Sequence, residues 1–251
     1  MADYDSEVLR SRSTAQAHAS DIDAGLRSYM LRVYNYMAGG LAITGVVAYL
    51  AFSMAVTQTP QGMMLTEFGN MLFNTPLKWV VMLAPLGMVM FLSVRIHKMN
   101  VSSAQLAFWS FAALMGLSLS SVFMVYTGAS IFQVFLITSA TFGSLSLWGY
   151  TTKKDISGWG SFLFMGLIGI IIASIVNIFL GSSALQFAIS VIGVLVFAGL
   201  TAYDTQQIKE MYNASDDGAV AGRKSIMGAL RLYLDFINLF LMLLQLFGSR
   251  D

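Results

Sequence analysis

GALRLYLDFINLFLMLLQLF, residues Gly228–Phe247, is the stretch on which the fold turns. A helix needs about 20 mostly apolar residues to cross the hydrocarbon of a bilayer. This stretch has that length and carries only two charges, Arg231 and Asp235. Its polar residues are not scattered. Arg231, Asp235, Asn238 and Gln245, with the apolar Met242 among them, recur at steps of 4, 3, 4 and 3, which puts them on one helical face. A membrane helix with a polar stripe belongs inside a bundle, beside other helices or a water-filled path. The spacing therefore predicts a central, buried seventh helix.

Six more apolar stretches lie upstream, at about residues 31–56, 77–94, 104–126, 131–150, 160–180 and 185–203. Seven spans make an all-α integral membrane protein. Transmembrane β-strands would be shorter and strictly alternating, and that pattern is absent. Composition agrees. Charged residues are 11% of the chain and hydrophobic ones 57%, whereas a soluble domain carries about 25% charged residues. The expected organisation is a polar cytoplasmic tail, residues 1–28, followed by a seven-helix membrane domain, residues 29–251. The tail has Arg10, Arg12 and Arg27 but no apolar core, so it does not read as a cleavable signal. The connection holding Pro60, Gly62, Glu67, Asn70, Asn74 and Pro76 reads as a long loop. Gly39, Gly40, Gly45, Gly166 and Gly169 lie inside spans, where small residues let helices approach closely.

Lysine and arginine set the orientation. With seven spans, eleven of the 14 fall on one side, in the tail and in the connections that hold Arg95 and Lys98, Lys153 and Lys154, and Lys209, Arg223 and Lys224. Only Lys78 and Arg250 fall on the other, and Arg231 lies inside the last span. This asymmetry predicts a cytoplasmic N-terminus and an external C-terminus.

Asp204 and Asp235 are the carboxylates least at home in a bilayer. An ionised carboxylate at membrane depth is costly unless paired, hydrated or protonated, and it marks a functional site by default. Asp204 precedes Lys209 by five residues and so lies about 7–8 Å deep at 1.5 Å per residue. Asp235 follows Gly228 by seven residues and lies about 10 Å deep from the same side. Arg95 closes the second span slightly nearer the cytoplasm. One arrangement pairs Asp235 with Arg231 and Asp204 with Lys209 or a helix end, for stability and orientation alone. The other brings the carboxylates together. They would then share a proton, titrate as a unit, and hold a passing cation such as calcium through their oxygens.

Several chemistries are excluded. No lysine lies deep in a span to form a retinal Schiff base. His18 and His97 are the only histidines, in the tail and at a helix end, too few for a membrane zinc hydrolase or a serine–histidine protease. Without cysteine there is no thiolate chemistry, and a net charge of +1 gives no reason to expect nucleic acid. The chain is expected not to be an enzyme and to need no cofactor.

LTAYDTQQIK at Leu200–Lys209, LRLYLDFINLFLMLLQLFG at Leu230–Gly248 and YTTKKDISGWGSFLFM at Tyr150–Met165 resemble the signature segments of the Bax-inhibitor, or transmembrane BAX-inhibitor-motif, family. The overall pattern is most similar to its bacterial inner-membrane branch. The resemblance implies six helices surrounding the seventh and a pH-sensitive calcium leak. Its paired aspartates fall on Asp204 and Asp235, as proton sensor and transient calcium site, and its basic latch on Arg95. An acidic residue that one family member carries midway along the second helix is missing here, near Ala84. Partners implied are the lipid bilayer, calcium and protons. Some bacterial relatives suggest another reading, a regulator that binds a membrane-embedded quality-control protease, with the tail as its handle.

Overall fold

The computed structural model describes the backbone of residues 2–60 and 62–250 and the side chains of residues 23–57, 59–60 and 62–250. The expected tail therefore lies partly outside the described residues, since the side chains of 1–22 and of His18 among them are not described. Among the described residues there are eight α-helices, α1 (Ala2–Ala55), α2 (Glu67–Asn74), α3 (Leu77–Arg95), α4 (Val101–Leu119), α5 (Gly128–Thr151), α6 (Trp159–Leu180), α7 (Ser183–Glu210) and α8 (Gly218–Phe247). Seven of them, all but α2, are long and apolar enough to cross a membrane.

The helix starts are written locally. Asn100, Thr127, Ser182 and Asp217 each accept a hydrogen bond from the backbone N–H three residues on, which satisfies a donor that the first turn leaves free. Gly181 ends α6 in the left-handed region at φ 60°. Two helices run well past the apolar stretches that announce them. α7 continues to Glu210 and α8 begins at Gly218, ten residues before Gly228. Hydropathy marks the hydrocarbon, whereas Asp217 marks the helix.

The connection after α1 is more ordered than its loop-like composition suggests. Strands β1 (Val56–Thr59) and β2 (Gly62–Leu65) pair antiparallel, with Val56 opposite Leu65 and Thr59 opposite Gly62. Thr66 then caps α2, and both its backbone N–H and its hydroxyl return to carbonyls at the end of α1.

α8 is the most enclosed span. Of its most apolar stretch 67% is buried, against 11–33% for the other six spans. It packs directly on α1, α4, α5 and α7, while α3 packs chiefly on α4 and α6 on α7. The surround is thus less even than six helices in direct contact with a seventh. The main core gathers on α8, where Tyr233 meets Phe108 and Phe111 edge-on. Ile178, Phe179, Phe162 and Val94 point outward, a surface suited to lipid.

Lipid is as apolar as leucine, so close packing and hydrogen bonds must hold the spans together. Gly39, Gly40 and Gly166 do lie against side chains of other spans, but Gly45 and Gly169 face open space. The tightest crossings between spans use other glycines. A Cβ on Gly149 would lie 3.0 Å from Ala202 Cα, and one on Gly116 would lie 2.6 Å from Thr44 O. Hydroxyls tie the same helices. Thr44 donates to Ala112 O, so its oxygen accepts from the Tyr233 hydroxyl. Thr205 donates to Thr201 O, so Ser146 donates to Thr205, and Tyr34 to Ser146. That chain joins α1, α5 and α7 and fixes the rotation of α7 beside Asp204.

Candidate functional site

Thr205, bonded to Ser146, turns one face of α7 toward α5, and Asp204 is left on the face toward α6 and α8. Gln206 holds the end of the helix from a third direction. It accepts from Ile156 N–H and donates to Lys154 O, which ties α7 to the α5–α6 connection. In that connection Asp155 accepts from the Ser157 hydroxyl and backbone N–H, and these bonds hold its carboxyl below the usual carboxylate range.

Asp204 and Asp235 come together. Both line one cavity of about 730 Å³, with Arg231, Leu234 and Asn238 from α8, Gly160, Phe164 and Leu167 from α6, and Leu200 and Tyr203 from α7. The polar stripe read from the sequence therefore faces this cavity along its first half. Asp235 is 5% exposed, and its Oδ2 has no hydrogen-bond partner among the described residues. Its neighbour is another carboxyl group, which can donate only when it carries a proton.

The pairings expected from a purely structural role are not the ones formed. Arg231 Nη1 lies 4.0 Å from Asp204 Oδ1, so the arginine on α8 reaches across to α7 and not to Asp235 one turn along its own helix. Lys209 Nζ donates to Tyr150 O at 2.9 Å and sits over the Tyr150 ring. Arg95 is exposed at the end of α3, does not line the cavity, and forms no ion pair among the described residues. The basic group beside the aspartates is Arg231.

No group of three or more His, Cys, Asp or Glu side chains is gathered among the described residues. Two carboxylates fall well short of the six to eight oxygens of a resident calcium. The pair suits a cation that keeps most of its water.

One polar cluster is absent from the sequence reading. At the other end of α8, Gln245 Oε1 accepts from Gln186 Nε2 at 2.6 Å and from the Ser190 hydroxyl at 2.8 Å, and Asn177 donates to Gln186. The signal was present in Gln245 as the last member of the stripe, but its partners on α6 and α7 come only from the packing.

Residues 26–251 match the family model described as "Inhibitor of apoptosis-promoting Bax1". The chain is 48% identical over 229 residues to the inner membrane protein YbhL of Escherichia coli (strain K12), covering 90% of this chain and 94% of that protein. It is 46% identical over 237 residues to the uncharacterised protein RP147 of Rickettsia prowazekii, covering 94% and 96%. A Caulobacter vibrioides protein, likewise uncharacterised, is 45% identical over 250 residues, 99% of each chain.

Proposed function

The chain belongs to the Bax inhibitor family, and from that premise we propose that it is a pH-sensitive calcium leak pathway of a bacterial inner membrane, gated by the proton that Asp204 and Asp235 share. The observation that carries this reading is the unpartnered, buried Asp235 Oδ2 beside a second carboxyl group in one cavity. A proton held between the two satisfies that oxygen and removes one negative charge. Loss of the proton leaves two carboxylates facing each other at membrane depth, with Arg231 beside Asp204 as the adjacent counter-charge. A cation then becomes the favoured third member, and its oxygen ligands are the carboxylates and its own water. Protonation and cation occupancy compete for one site, and each shifts the balance between two arrangements of α7 and α8. The inner-membrane location rests on the similarity to the Escherichia coli inner membrane protein YbhL together with seven apolar helices. The N-terminus is assigned to the cytoplasm by the lysine and arginine asymmetry.

Calcium flux into liposomes that contain only this protein, scanned over pH, tests the reading. Flux that changes with pH is expected. Protein that is folded and inserted yet leaks no calcium at any pH rejects the proposal.

A further inference from the structure

α6, α7 and α8 meet along a seam that is polar at both ends and apolar in the middle. On α7, Gln186, Ser190, Gly193, Phe197, Leu200 and Asp204 recur at steps of 4, 3, 4, 3 and 4, a single helical face. The stripe on α8 runs antiparallel to it, from Arg231 to Gln245. The aspartate cavity opens one end of the seam. A second cavity of about 400 Å³ opens the other, lined by Asn177, Gln186, Ser190 and Gln245 together with Arg250. Arg250 lies over the Tyr126 ring at 5.7 Å.

What separates the cavities is a small apolar cluster distinct from the main core. It consists of Ile170 on α6 and Ile189 and Val196 on α7, with Met242 packed against them from α8. Met242 fills the space that a side chain on Gly193 would take, since a Cβ there would lie 2.7 Å from Met242 Sδ. At this level α7 presents bare backbone, and an unbranched, flexible side chain closes the gap. Asn238 and Gln245 bracket the block and are about 10 Å apart along α8. Elsewhere α8 is sealed by the aromatic core, and the apolar cavity of about 720 Å³ between α1, α5 and α8 has no charged residue to offer a cation.

We propose that cations cross the protein along this α6/α7/α8 seam, with the Asn177–Gln186–Ser190–Gln245 cluster as the far mouth and Met242 as the residue that closes the route. The proposal rests on the leak reading and adds its path. Amide and hydroxyl oxygens suit a hydrated divalent cation at the mouth. A short apolar constriction blocks such an ion by shedding water, and it opens when the blocking side chain moves. The same rotation of α8 that answers the charge on Asp235 would swing Met242, two turns along the same face.

The chain has no cysteine, so a single introduced thiol is the only one present. Ser190→Cys reports on the far cavity and Asn238→Cys on the aspartate cavity. In liposomes of sorted orientation, each is challenged with a membrane-impermeant cationic thiol reagent from one side at a time. Each should react only from its own side. Adding Met242→Ala should let each react from both sides and raise calcium flux roughly tenfold, as expected for loss of a hydrophobic constriction. Met242→Leu, which keeps the volume, should preserve the barrier, and Met242→Val serves if the alanine variant does not fold. Thiols inert from both sides overturn the route, as does a folded Met242→Ala protein with unchanged sidedness. The two readings fail separately. Expected sidedness without calcium flux keeps the route and removes calcium as its ion, whereas pH-dependent flux untouched by Met242→Ala keeps the leak and removes this route.

Discussion

Asp235 is the one charged residue that is buried among the described residues. Its position makes Asp235→Asn the cleanest probe of the shared proton. Asparagine keeps the size and offers an N–H to Asp204, but it cannot titrate. Asp204→Asn is less clean, because Asp204 also faces Arg231 at 4.0 Å, and removing its charge leaves that arginine without its ion pair. On the proposed reading each substitution flattens the pH dependence of calcium flux and the double variant adds little, as for two carboxyls that titrate as one unit. Some loss of thermal stability should accompany Asp204→Asn and not Asp235→Asn. Flux against pH and melting of the purified variants check both points, and a full pH response in both single variants ends the proton-sensor reading. At this scale the two aspartates were legible from their depth alone, which follows from residue counts along two helices. The partner of Arg231 was not. Spacing on one helix favours Asp235, and only the packing of α7 on α8 brings Asp204 closer.

Helix-level packing was legible in kind but not in position. Glycines inside spans announced close crossings, yet two of the five singled out face open space, because a sequence does not say which face of a helix meets another. Gly149 and Gly116 are where backbones actually approach. Gly149→Ala should force α5 from α7 and cost about 1–3 kcal/mol, as overpacking does. Gly143, six residues earlier on α5, has open space where a Cβ would stand, with nothing within 4 Å of it, so Gly143→Ala should be neutral or stabilising by up to about 1 kcal/mol through helix propensity. Thermal unfolding in detergent compares the two, and equal melting temperatures would show that the Gly149 crossing does not limit stability. Arg95 poses a second question for the elements. It sits exposed at the end of α3, away from the aspartate cavity, so it can act as a latch only if α3 moves toward α7 and α8. If it does latch, Arg95→Ala raises basal calcium leak at every pH. Unchanged flux in a well-folded variant leaves Arg95 as an ordinary cytoplasmic charge.

Across the whole molecule, the connections sort into two ends. One end gathers Met99 beside Arg223, Lys154 beside Gln206, and Tyr29 beside Tyr212. The other gathers the β1–β2 hairpin, the Gln186–Gln245 cluster and the chain end, where Ser249 and Thr127 share a backbone hydrogen bond. The contacts fix which segments share an end but not which end faces the cytoplasm. That assignment comes from charge. The first end carries the connections rich in lysine and arginine, and insertion keeps such segments on the cytoplasmic side. Lys224 adds a structural reason for the charge to stay there, since its ammonium group bonds both Asp216 and the Met211 carbonyl and so closes the α7–α8 turn. If the pair is the proton sensor proposed above, the orientation also decides which compartment it reads. Asp204 and Asp235 lie toward the charged end, so such a sensor would answer to cytoplasmic pH with the N-terminus inside and to the other compartment with the protein inverted. A reporter active only in the cytoplasm, fused after Asp251, should therefore be silent, and the same reporter inserted between Asn213 and Asp216 should be active. Strong signal from the C-terminal fusion together with silence from the α7–α8 turn would invert the molecule and move the proton sensor to the opposite face of the membrane.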